Sequence, residues 1–257
     1  MATSIGTEGP DFLVGLAFQS NHLIGLGGQD WLVSGNGNDL LEGGEGNDDY
    51  LIWDYTDDII VDTGGVDMIH ASIAVDLRDH PDIENVRQLF SYGGRPLHGN
   101  DADNELYDAA GGNALFGGAG FDRLDGGNGD DVLNGGTGQD YLDGGAGDDR
   151  FDFASIADSA PGEANRDYIY GFAQGEDALH FGQMDANAAR AGNQAFSFIG
   201  DDAFTGKAGE LRFEQGTYSD GVSAVTLVSG DTDGDGAADF EVQIWGHFAL
   251  TAADFIL

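Results

Sequence analysis

The chain has 257 residues, with 9 Lys+Arg against 47 Asp+Glu and a formal net charge of −38. A surface this acidic repels nucleic-acid phosphates and anionic membrane headgroups, which excludes nucleic-acid binding. With no cysteine, disulfides and thiolate metal sites are excluded, and no apolar run is long enough to span a bilayer. High charge alone would suggest disorder, but 40% hydrophobic content with 16 Phe argues for a packed core. Both facts are reconciled if the carboxylates are neutralised by bound cations. The start, MATSIGTEGPDFLVG, has neither a basic n-region nor an apolar h-region, so no Sec signal is expected.

From the N-terminus a nine-residue beat runs through residues 1–51. Its units are 6–14 (GTEGPDFLV), 16–24 (LAFQSNHLI), 25–33 (GLGGQDWLV), 34–42 (SGNGNDLLE) and 43–51 (GGEGNDDYL). The second unit is degenerate, with Asn21 at position 6 and Gly15 left over. Residues 52–98 lose the glycines but keep strand-like patches at 58–62, 68–77 and 83–90. This spacer is expected to form wider coils that continue one stack. The beat returns at 99–107 (GNDADNELY) and 108–116 (DAAGGNALF), where Asn104 and Asn113 stand at position 6. It is sharpest over 117–152, as GGAGFDRLD, GGNGDDVLN, GGTGQDYLD and GGAGDDRFD. A plain Gly/Asp linker would not hold Leu or Phe at every eighth position.

This GGxGxDxUx unit resembles the calcium-binding nonapeptide of RTX, hemolysin-type proteins, which are exported by type I systems. The resemblance implies a parallel β-roll, and the spacer element at 84–89 (ENVRQL) resembles the segments that interrupt such arrays. The chemistry follows from the spacing. Alternate residues of an extended segment point the same way, so positions 2, 4 and 6 can present two carbonyls and a carboxylate together. Calcium takes about six to eight oxygens, so a second loop, stacked about 4.8 Å away, must complete the shell. Expected ligands in the first array are Gly28 and Asp30, Gly35, Gly37 and Asp39, and Gly44, Gly46 and Asp48. In the second array they are Gly118, Gly120 and Asp122, cooperating with Gly136, Gly138 and Asp140 one coil on. Gly127, Gly129 and Asp131 cooperate likewise with Gly145, Gly147 and Asp149. Position 8 should point inward, giving an apolar ladder of Leu32, Leu41, Leu115, Leu124, Leu133, Leu142 and Phe151. Positions 7 and 9 should face outward, carrying Arg123, Asp125, Asp143 and Arg150. Asp130 and Asp148, at position 5, are read as a solvated face.

Beyond residue 152 the beat is gone. Strand-like runs at 195–199, 210–213, 224–228 and 240–245 alternate with Gly/Asp turns and are expected to form antiparallel β, with a short helix around 185–191. The stretches DYIYGFAQGEDALHF, AFSFIG, FTGKAGELRF and the ending LTAADFIL are similar to the C-terminal domain of serralysin-type metalloproteases. The fold expected is therefore all-β: arrays at 1–51 and 99–152, a spacer at 52–98, and a serralysin-like domain at 153–257. Residues 231–239 (DTDGDGAAD) begin like an EF-hand loop, but Val242 stands where the bidentate Glu belongs. They read either as a shorter calcium loop using Asp231, Asp233, Asp235 and Asp239, or as an acidic hairpin turn. The ending Asp254-Phe255-Ile256-Leu257 resembles the uncleaved signal of type I ABC exporters. That resemblance implies export from a Gram-negative bacterium to the extracellular space.

None of His22, His70, His80, His98, His180 and His247 lies in an HExxH motif, and there is no GxSxG elbow. His70, near Asp67 and Asp76 in sequence, is read as an ordinary strand residue. The first residues already form a repeat, so no catalytic domain is expected ahead of them. The reading is a non-enzymatic protein that binds several calcium ions and acts at a cell surface, matrix or extracellular polysaccharide. The alternative is the accessory half of an exoenzyme, serralysin-like or polysaccharide-modifying.

Overall fold

The computed structural model describes residues 1–53, 58–89 and 94–257; Phe90, the end of the 83–90 patch, lies outside them. Short strands alternate between two faces of a flattened solenoid. One face opens with a parallel sheet of Ala2–Ile5, Asn21–Gly27, Leu40–Glu45 and Ile59–Val61. It resumes with a seven-stranded parallel sheet running from Val75–Asp76 through Ala114–Gly120 and Val132–Gly138 to Phe255–Ile256. The other face is a 13-stranded sheet beginning at Phe12–Val14 and Trp31–Val33.

The register explains the ladder. On the long face Leu13, Leu32, Tyr50, Ile69, Val86, Leu106, Leu124, Leu142, Ile169 and Ile244 are consecutive partners. On the other, Leu97, Leu115, Leu133, Phe151, Leu179 and Phe255 follow one another. Every residue expected in the ladder, from Leu32 to Phe151, is fully buried. Each such side chain stabilises the fold by about 1.5–3 kcal/mol through burial alone. The strands Met68–Ala71 and Asn85–Gln88 of the spacer pair in parallel with the coils before and after them.

The antiparallel expectation for 153–257 holds only in part. Glu210–Thr217, Ala224–Asp231 and Phe240–Trp245 are antiparallel neighbours, but they extend the roll's own sheet and form no separate domain. Asp167–Tyr170 pairs in parallel with Phe240–Trp245, and Ala178–His180 with Phe255–Ile256. The last residues therefore add coils to both faces. The helix expected around 185–191 is replaced by turns. Asp185 Oδ1 accepts the amides of Asn187 and Gln194 (both 3.1 Å), and Asn187 Oδ1 accepts that of Ala189, so side chains outcompete helical bonding.

Candidate metal centres

The turns joining the two faces stack into two rows, and position 6 supplies the spine of each. Asp122 N–H donates to Asp140 Oδ1 at 2.8 Å, and Asp140 N–H donates to Asp167 Oδ1 at 2.9 Å. The same bond joins Asp30 to Asp48 and Asp48 to Asp67 in the first array (2.8 and 2.7 Å). In the opposite row it joins Asp39 to Asp58, Asp131 to Asp149 and Asp149 to Asp177 (2.8, 2.9 and 3.0 Å). Position 6 is buried in most coils: Asp30, Asp39, Asp48, Asp122, Asp131, Asp140 and Asp149 are all within 2% of full burial. While Oδ1 is satisfied, Oδ2 of each of these seven is buried with no hydrogen-bond partner. A buried, unpaired carboxylate oxygen costs several kcal/mol, and here the cost recurs coil after coil.

The glycines explain how closely the coils stack: those of position 1, such as Gly25 and Gly117, leave room for the Oδ2 of Asp30 and Asp122. Carbonyls of positions 2 and 4 point along the stack at the next coil. Gly46, at φ 126°, has no room for a Cβ because one would overlap the Gly28 carbonyl, and Gly138 stands likewise over Gly120. The expected glycines therefore line the gap between coils with backbone oxygen.

Asparagine shows which backbone oxygens reach a position-6 side chain, among them carbonyls of positions 1 and 4. Asn21 Nδ2, in the place of an Oδ2, donates to the carbonyls of Leu16 (3.1 Å), Gln19 (2.9 Å) and, one coil on, Ser34 (3.3 Å). Asn113 Nδ2 donates to the Gly111 carbonyl at 2.9 Å and to Asp108 Oδ2, and Asn104 Nδ2 to the Glu84 carbonyl at 2.9 Å. An electropositive amide is thus accommodated at three position-6 sites. Where aspartate stands instead, an all-oxygen set with net negative charge is left, which suits a hard cation such as calcium.

Burial, opposed in part by the amide bond and helped by neighbouring carboxylates, pushes the carboxyls of Asp48, Asp122, Asp131, Asp140 and Asp149 upward. Asp122 rises to about 8, Asp131 and Asp140 to about 7, and Asp48 and Asp149 to about 6. The outward positions differ: Arg123 is exposed, and Asp130 and Asp148 lie on the surface.

Asp58, Asp67, Asp167 and Asp177, which the nonamer alignment did not reach, occupy the same places. Asp67 and Asp167 have buried, unpartnered Oδ2 atoms, and Asp177 caps the opposite row. In residues 62–70 (DTGGVDMIH) Asp67 is position 6 and Ile69 position 8; Gly64, Gly65 and this acid were the available signal. DYIY at 167–170 and DALH at 177–180 are likewise positions 6–9 of coils separated by insertions. Asp62, at position 1, joins Asp48 and Asp67 in a buried trio.

The 231–239 loop is a hairpin between two antiparallel strands, unlike an EF-hand. Asp231, Asp233 and Asp239 carry oxygens within 4.8 Å of one another, whereas Asp235 turns to accept the Ala237 amide. His70 meets neither Asp67 nor Asp76: it bonds Asp49 at 2.7 Å and stacks on Trp31.

The family model of the peptidase M10 serralysin C terminal matches residues 2–257. No curated protein matches the chain. Among solved structures, the AlgE6R3 subunit of the Azotobacter vinelandii mannuronan C5-epimerase is 27% identical, covering 66% of this chain and 85% of that one, with a TM-score of 0.46. The AlgE6R2 subunit of the same enzyme is 28% identical over 61% and 89%, with a TM-score of 0.39. The extracellular lipase LipA from Serratia marcescens is 16% identical; all of this chain spans 40% of it, with a TM-score of 0.36.

Proposed function

We propose a calcium-dependent folding role for this chain, which belongs to the peptidase M10 serralysin C-terminal family. In this reading it is a secreted, non-enzymatic β-roll that takes several calcium ions and acts in surface, matrix or polysaccharide contact outside the cell. The observation that carries it is the repeated Oδ2 atom, buried and unpartnered between stacked glycine turns. Bound calcium would supply the positive charge and the demand for oxygen ligands that this arrangement leaves open. Asp30, Asp39, Asp48, Asp122, Asp131, Asp140 and Asp149 would hold it, with carbonyls of the paired turns. Their Oδ1 atoms fix the register of successive coils. At low calcium the same carboxylates repel one another inside the stack, so the chain stays unfolded and exportable through a type I ABC exporter. Outside, ion binding and folding become one equilibrium.

The contact role is supported by an aromatic row on the outer side of the long sheet. Phe121, Tyr141, Tyr170, Trp245 and Tyr218 follow one another at centroid distances of 5.1, 5.6, 5.4 and 5.0 Å. A second reading, an accessory roll that serves an exoenzyme, is favoured by the exposed apolar residues Ile5, Phe12, Leu16 and Phe18 around the first coil. Such a patch fits a protein partner better than open water.

Circular dichroism in chelator and then in calcium tests the central claim. A large gain of β signal with calcium is expected. Equal β content in both conditions would overturn it.

A further inference from the structure

In the spacer, the coil at residues 62–67 departs from the pattern. Position 1 is glycine in the neighbouring coil, at Gly43, but aspartate at Asp62. Asp48, Asp62 and Asp67 are 1%, 6% and 1% exposed, and each offers a carboxylate oxygen within 4.8 Å of the others. Two oxygens on one calcium ion lie at most about 5 Å apart, so the trio is compact enough to share a cation. Oδ2 of Asp48 and of Asp67 is buried without a hydrogen-bond partner.

Asp62 is held in place from both sides. Its Oδ1 accepts the Gly64 amide at 2.9 Å, and its Oδ2 accepts the hydroxyl of Tyr50. Tyr50 is a ladder residue, partnered with Leu32 and Ile69 where the other coils of the long face carry an aliphatic side chain. Its ring fills the core while its hydroxyl reaches the turn. A Cβ on Gly43 would overlap the Tyr50 hydroxyl and Asp48 Oδ2 and stand 2.6 Å from Asp62 Oδ2, so all these groups meet at one point.

The chain contains its own control. Asp108 is also at position 1, but the position-6 residue of its coil is Asn113, whose amide donates to Asp108 Oδ2. There an amide satisfies the carboxylate. At 62–67 both positions are acidic, and among the described residues the donors to Asp62 are Tyr50 and Gly64.

We infer that Asp48, Asp62 and Asp67, braced by Tyr50, form the tightest cation site of the roll, which fills first and orders the N-terminal coils. Affinity among oxygen sites rises with the number of charged ligands and with rigidity, and this site has three carboxylates on a buried brace. The inference rests on the calcium-folding reading, and its test is separable from it.

The test uses the full chain, with Asp62→Gly restoring the residue usual at position 1 and Asp62→Asn as an isosteric second variant. Calcium titration calorimetry and terbium luminescence sensitised by Tyr50 give the affinity classes. Either variant is expected to weaken the tightest class by about tenfold or more, and to remove the earliest terbium emission. Asp122→Asn is expected to leave that class in place. If one variant does not fold in calcium, the other decides. An unchanged tightest class in a folded Asp62 variant overturns this inference alone. Absence of any calcium binding by the unaltered chain overturns this inference and the folding reading together.

Discussion

Asp140 accepts the backbone N–H of Asp122 at 2.8 Å through Oδ1 and keeps Oδ2 buried without a partner. One carboxylate thus serves two separable ends, coil register and cation binding. Asn113 shows that an amide can serve both: its Oδ1 accepts the Arg95 amide one coil back at 2.8 Å, and its Nδ2 donates to the Gly111 carbonyl. Asp140→Asn is therefore expected to keep the fold, to raise stability in chelator, and to weaken the dependence on calcium. Asp140→Ala removes both ends and should cost about 1–3 kcal/mol through the unpaired Asp122 amide. Calcium titrations followed by circular dichroism distinguish them; identical behaviour of the two variants would contradict the division.

The pH response without calcium follows from the raised carboxyls. Asp122, at about 8, and Asp131 and Asp140, at about 7, bind protons in the folded roll more tightly than near 3.8 in the unfolded chain. Burial is the main cause. The folded state thus holds more protons between these values, and stability falls as pH rises. That contribution is fully present below about pH 4 and is lost as pH passes through 7 to 8. In chelator, β structure should be greater at pH 5 than at pH 8, and calcium binding near pH 7 should release protons. A chelated chain more ordered at pH 8 would count against this assignment.

Leu26 occupies position 2 at φ 83°, where Gly44, Gly118 and Gly136 stand in other coils, and its side chain is 42% exposed. The left-handed region is costly for a residue with a Cβ, while glycine enters it freely at the expense of a more flexible unfolded chain. Leu26→Gly should therefore gain about 0.5–1 kcal/mol, and Leu26→Ala should gain nothing. Calcium midpoints of the three chains measure this directly.

Most of the roll was legible because two demands recur at fixed spacing: an inward apolar residue at position 8 and an acid at position 6. Leu124, Asp131 and Phe151 needed no more than counting. Asp67 escaped because Asp62 and Thr63 replace the paired glycines that signal a unit. Asp167 and Asp177 escaped because insertions break the count, although each keeps the D-x-apolar-x ending. The registers of Ile244 and Phe255 were invisible for a different reason. They depend on pairing with strands far away in sequence, which no local pattern encodes. The bracing of Asp62 by Tyr50 is likewise a contact between coils, and sequence showed only an unusual residue at each place.

The C-terminal residues combine a structural and an export reading that two substitutions can separate. Phe255 is buried against Phe198 and Phe181, and its strand covers Ala178–His180, whereas Ile256 is 44% exposed. Phe255→Ala should destabilise the calcium-loaded roll by about 3–5 kcal/mol. Ile256→Ser should change stability by no more than about 0.5 kcal/mol. If the terminus is also read by a type I exporter in its unfolded state, Ile256→Ser lowers secretion without lowering stability. Thermal unfolding and secreted yield, measured on the same variants, resolve the matter. Secretion that tracks stability alone, with Ile256→Ser exported normally, would leave these residues a structural role only.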